Sequence, residues 1–124
     1  MNDMVYLNGV YIPKREASLS PDDRGFIFAD GVYEVIKYYN GNPFRYEDHC
    51  VRLERSLREI QIGFDRIGDL EGIFEHLLVR NGLKDTHAGV YLQITRGVNQ
   101  RVHHFPAEIT PTIYAFVFPF PSSK

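Results

Sequence analysis

Hydrophobic and polar positions change their period along the chain, and each change marks an element. Val5-Tyr6-Leu7 and Val10-Tyr11-Ile12 flank Asn8-Gly9, a pair whose tolerance of positive φ closes a two-residue hairpin, so two short strands open the chain. Ser18 to Gly25, with Pro21-Asp22-Asp23 inside, carries turn chemistry and reads as an exposed loop. Val32 to Tyr39 is rich in β-branched and aromatic residues and ends at Asn40-Gly41, which predicts a second hairpin returning through Phe44-Arg45-Tyr46. On that strand Tyr33, Val35, Lys37 and Tyr39 share one face, and Glu34, Ile36 and Tyr38 the other. Both faces mix apolar with polar groups, so part of one is expected to line a pocket.

From Glu47 to Ile62 the apolar residues Val51, Leu53, Leu57 and Ile60 recur at helical spacing among Arg52, Glu54, Arg55, Arg58 and Glu59, with Gly63 as the expected stop. A second helix is expected from Asp65 or Asp69 to Arg80. It would bury Leu70, Ile73, Phe74, Leu77 and Leu78, with Gly82 just past its end. Strand patterns return at Ala88 to Thr95 and Thr112 to Phe118. Strands, then two helices, then strands predict an α+β domain: a mostly antiparallel sheet with two helices packed on one face. Residues 1–118 are read as one domain. Pro119 to Lys124 reads as the start of a linker.

Composition narrows the function classes. Of 124 residues, 44% are hydrophobic and 24% charged, which is ordinary globular usage and leaves no support for disorder, collagen or a coiled coil. Eight Tyr and nine Phe without Trp point to a sheet-rich chain with a filled core or an aromatic-lined pocket or interface. A net charge of -2 offers no field for nucleic acid or anionic lipid, so neither nucleic acid nor a membrane is an expected partner. Cys50 stands alone, which excludes a disulfide framework within the sequence, and Met1 to Met4 lacks a leader pattern; the expected compartment is the cytoplasm. The five His and one Cys do not assemble a ligand set, since His103 and His104 point apart if extended and His76 and Cys50 lie on separate helices. No metal is expected.

Candidate chemistry concentrates in two places. Arg101 and His103, two apart, point the same way in an extended segment and can grip one carboxylate, with Arg96 adding charge; the same composition also suits a solvated connection. His49 and Arg52 are neighbours on one helix face. Arg52 suits a phosphate as a bidentate fork, and equally suits an ion pair with a helix carboxylate such as Asp48 or Glu59. Residue chemistry alone leaves both alternatives open.

Three motifs decide between them. Phe26 to Val35 resembles the entry strand of class IV pyridoxal-phosphate-dependent aminotransferases, and His49-Cys50-Val51-Arg52-Leu53 follows at that family's spacing. Thr95-Arg96-Gly97 with Arg101-Val102-His103 resembles the D-amino-acid aminotransferase branch. The resemblance implies the N-terminal domain of an enzyme that exchanges an amino group between a D-amino acid, such as D-alanine, and a 2-oxo acid. It implies that Arg52 binds the phosphate of pyridoxal phosphate, that Tyr33, Arg101 and His103 hold the substrate carboxylate, and that Val35 and Lys37 line the substrate pocket. The family's Arg-x-His loop reaches the neighbouring subunit's site, which implies a homodimer.

The family's Schiff-base lysine and the glutamate paired with the pyridine nitrogen lie in a second domain, and none of Lys14, Lys37, Lys84 and Lys124 matches the lysine. The expectation is therefore a catalytic C-terminal domain absent from this chain, no catalytic residue within it, poor retention of pyridoxal phosphate and no activity by itself. Branched-chain aminotransferase and aminodeoxychorismate lyase are the alternatives within the family. A non-catalytic carboxylate-binding or dimerisation module is the alternative outside it.

Overall fold

The computed structural model describes residues 3–18, 31–97 and 111–120. Its elements run β1 (Met4–Leu7), β2 (Val10–Pro13), β3 (Gly31–Tyr39), β4 (Asn42–Pro43), α1 (Tyr46–Glu59), α2 (Leu70–Arg80), β5 (Ala88–Thr95) and β6 (Thr112–Pro119). The strands form one sheet in the order β2-β1-β6-β5-β3-β4, antiparallel at every pairing. Register comes from the turns. Asn8-Gly9 and Asn40-Gly41 each place two successive residues at positive φ, the conformation that matches strand twist in a two-residue hairpin. Asn8 also fixes the first hairpin against β6, donating its N–H to the Ile113 carbonyl at 2.9 Å and accepting the Ile113 N–H on Oδ1 at 2.8 Å.

Both helices lie on one face, as the α+β pattern predicts. Leu53 and Leu57 of α1 and Leu70, Phe74, Leu77 and Leu78 of α2 share a buried cluster with Ile36 and Tyr38 of β3, Val90, Leu92 and Ile94 of β5, and Ile113 and Ala115 of β6. Those strand residues sit at alternate positions, so they occupy a single face of the sheet. Burying each large side chain stabilises by about 1.5–3 kcal/mol, which is what holds the helices there. Asn81 ties α2 to the sheet as well. Its Nδ2 donates to the Leu77 and Met4 carbonyls at 2.8 and 3.0 Å, and its Oδ1 accepts the Met4 N–H at 2.8 Å.

Two boundaries differ from the sequence pattern. The second hairpin's return arm stops at Pro43 instead of running through Tyr46: proline has no N–H for the ladder, Arg45 turns left-handed at φ 55°, and Tyr46 packs against the core as the first residue of α1. At its other end α1 stops at Glu59, before Gly63. Gln61 takes positive φ, donating to the Arg58 carbonyl at 3.1 Å, while Ile62 donates to Leu57 at 2.9 Å and buries its side chain. This is a Schellman cap with glutamine where glycine is usual. The α2 terminus has the same cap with Gly82 in the left-handed position, as its sequence predicts.

Candidate functional site

From Tyr33 onward strand β3 alternates between exposed and buried positions, and the alternation divides the candidate residues between two faces. Glu34 falls on the helix side with Ile36 and Tyr38 and is only 5% exposed. A carboxylate buried there needs partners. They come from α1, which lies over β3 and carries His49 and Arg52 one helical turn apart. Arg52 donates from Nε to Glu34 Oε2 at 2.8 Å and from Nη2 to Glu34 Oε1 at 2.7 Å, a bidentate fork. His49 Nδ1 lies 2.8 Å from the same Oε1. A carboxylate can only accept, so Nδ1 carries a hydrogen, and its 3.3 Å approach to Arg52 Nη2 is then contact between two donors.

Burial pushes the Glu34 carboxyl up, but hydrogen bonds from Arg52 and His49 outweigh it and hold the group below its ordinary range. The same fork pushes the Arg52 guanidinium further up. Both groups are therefore charged near neutrality. Arg52 meets Glu34 with one edge, and its side chain remains 56% exposed. The opposite edge, formed by Nη1 and the second hydrogen of Nη2, has no hydrogen-bond partner among the described residues. Arg52 thus pairs across to the strand, and not with Asp48, the helix carboxylate four residues before it, nor with Glu59, seven residues on. Those two pair instead with Arg45 at 3.6 Å and Arg55 at 4.0 Å.

Tyr33, Val35 and Lys37 stand together on the other face. Tyr33 is 68% exposed and stacks on Tyr91 of β5 at 6.0 Å, and Tyr91 in turn stacks on Phe116 of β6 at 4.9 Å. Tyr114 and Phe118 flank Phe116 at 5.7 and 6.1 Å. These five rings form a plate across three strands on the sheet face away from the helices. Lys37 Nζ sits 5.9 Å from the Phe120 ring. Tyr33 and Arg52 are consequently on opposite sides of β3, one on the plate and the other on the helix side.

Arg101 and His103 lie outside the described residues. Arg96, at the end of β5, does not extend a free positive cluster: Nη1 donates to the Gln61 carbonyl at 3.1 Å and Nη2 to that of Ile60. Those carbonyls close α1, where a cation also suits the helix dipole. Glu34 is the residue that sequence reasoning missed. Its signal was a lone acid on a strand face otherwise apolar, followed by an Arg and a His that share one helix face.

The arrangement offers a fixed guanidinium edge on the helix side of β3 and an aromatic and apolar face on the other. Among the described residues no group of three His, Cys, Asp or Glu side chains is placed to hold a metal, and no helix is long and apolar enough to cross a membrane. The chain is 40% identical over 114 residues to the D-alanine aminotransferase of Staphylococcus haemolyticus, matching 90% of this chain and 40% of that protein. It thus spans about two fifths of the length of that relative. The 4-amino-4-deoxychorismate lyase of Pseudomonas aeruginosa superposes with a TM-score of 0.72 at 32% identity, over 97% of this chain and 41% of the lyase. The branched-chain amino acid aminotransferase of Escherichia coli shares the fold at a TM-score of 0.85 and 21% identity, over 97% of this chain and 42% of its own. Residues 31–124 match the family described as Amino-transferase class IV, and the chain belongs to that family.

Proposed function

We propose that this chain forms the cofactor-phosphate and substrate-facing part of a pyridoxal-phosphate-dependent transaminase acting between a D-amino acid, such as D-alanine, and a 2-oxo acid. The observation that carries the reading is Arg52, whose guanidinium is fixed on one edge by buried Glu34 and presents its other edge outward. A phosphate monoester needs such a planar pair of donors, so the residues present fit the group. When bound, the cofactor supplies the electron sink for amino-group transfer. Of this chain's residues, Arg52 would hold its phosphate, Tyr33, Arg101 and His103 would hold the substrate carboxylate, and Val35 and Lys37 would line the space for the side chain. Bond-making to the cofactor falls to residues outside these 124, and the assembly is a homodimer in which the Arg101–His103 segment serves the neighbouring site. The identity to D-alanine aminotransferase, 40% against 32% for the lyase, favours the transaminase over lyase chemistry.

A chimaera tests this: the chain replaces the matching segment of the Staphylococcus haemolyticus enzyme, with the remainder kept. D-alanine-dependent amination of a 2-oxo acid is expected, and Arg52→Ala should weaken cofactor retention by about 1.5–3 kcal/mol in equilibrium dialysis. A folded chimaera that binds the cofactor but prefers branched-chain L-amino acids would move the reading to that branch. Unchanged retention in the Arg52 variant would remove Arg52 from the site.

A further inference from the structure

We propose that Glu34 is a positioning residue: by clamping the Nε and Nη2 edge of Arg52 it holds the opposite edge out as a preformed phosphate seat. The inference rests on the reading of Arg52 as a phosphate ligand and adds what makes it one. An arginine side chain has several rotatable bonds, and ordering them at the moment of binding opposes association. Here the ordering is done before the ligand arrives. The anchor is rigid because Glu34 projects from the middle of a paired strand and is buried beneath α1, whereas a helix-surface carboxylate would move with its own side chain. Arg55 and Arg58 on the same helix show the contrast. Among the described residues each meets an i,i+4 glutamate, at 4.0 and 3.7 Å between exposed partners, without a bidentate fork. His49 completes the anchor by donating to Glu34 Oε1, so that the carboxylate takes three hydrogen bonds from α1, all on the inner edge of Arg52 or from His49.

The arrangement makes a prediction that runs against simple charge counting. Glu34 is an anion close to the place where another anion would sit, so electrostatics alone says that removing its charge strengthens phosphate binding. Positioning says the reverse. Glu34→Gln keeps the size of the side chain but offers one acceptor oxygen to Arg52 and His49 where the carboxylate offers two, so the fork breaks. Glu34→Asp keeps the charge and both acceptors but withdraws them by one methylene.

The experiment is a nuclear magnetic resonance titration of the cofactor-free chimaera, labelled at arginine, with inorganic phosphate and separately with pyridoxal 5′-phosphate, pyridoxal serving as the phosphate-free control. In the unliganded wild type the Arg52 Nε–H should be ordered and slow to exchange relative to those of Arg55 and Arg58. Phosphate should then shift the Arg52 signals, and both Glu34 variants should bind roughly three- to tenfold more weakly. The backbone spectrum of each variant reports whether it is folded, and if Glu34→Gln is not, Glu34→Asp decides. An Arg52 Nε–H as mobile as that of Arg55, or phosphate binding that is equal or tighter in a folded Glu34 variant, overturns the positioning role and leaves Arg52 as a ligand. Wild-type Arg52 signals that ignore both phosphates overturn the seat itself, and the positioning role with it.

Discussion

The two faces of β3 are built from one strand and do opposite things. Toward the helices, Glu34, Ile36 and Tyr38 are buried, and the one charged group among them is held by two side chains of α1. Toward the open side, Tyr33, Val35, Lys37 and Tyr39 remain exposed beside a plate of stacked rings. The difference teaches that a strand can supply anchoring and presentation at once. The buried face fixes groups whose geometry matters, and the open face keeps its stability contribution low enough for its residues to meet a ligand.

Neighbouring substitutions on β3 break the symmetry most sharply. Ile36→Ala removes a side chain 3% exposed and should cost about 2–5 kcal/mol in urea unfolding, whereas Val35→Ala, at a position 41% exposed, should cost less than about 1 kcal/mol. Equal losses would mean that the open face is covered in solution. Arg52→Ala comes next. It leaves the buried Glu34 carboxylate with His49 alone, and a loss of about 1–3 kcal/mol at neutral pH is expected, moderated by the solvent exposure of Arg52. Arg55→Ala on the same helix should stay within about 0.5 kcal/mol.

A smaller effect follows from pH. The folded Glu34 carboxyl is held below its ordinary range, so the pair's contribution is complete above the unfolded value of about 4.3 and is lost as pH falls through the folded one. Wild type should therefore lose more stability than Glu34→Gln does as pH falls from about 5 to about 3, read from paired urea titrations. Parallel curves would show that the carboxyl titrates alike folded and unfolded. Least of all, Tyr33→Phe should leave stability within about 0.5 kcal/mol while raising the KM of the chimaera for D-alanine. A stability loss without a change in KM would make the Tyr33 hydroxyl a structural group.

Much of this was legible in the residues. The two Asn-Gly pairs specify their hairpins because only a few residue types tolerate consecutive positive φ, and the apolar spacing of Leu53 with Leu57, or of Phe74 with Leu77 and Leu78, selects the helix faces that become buried. Gly82 marks the end of α2 for the same local reason. The motifs around Tyr33, Arg52 and Arg101 identify the family, since residue identity and spacing are properties of the chain itself.

What only the tertiary structure decided is whom the charged groups meet. Arg52 has a helix carboxylate, Asp48, one turn away, yet it crosses to Glu34, eighteen positions earlier, because α1 docks over β3 and a buried carboxylate without a partner would be too costly to leave. Arg96 likewise closes α1 at the Ile60 and Gln61 carbonyls, and Gln61 takes the turn that Gly63 was expected to make because that turn lets Ile62 be buried. Period and turn chemistry act over a few residues and can be read in sequence order. Long side chains choose among many partners, and desolvation, which exists only once the elements have packed, makes the choice.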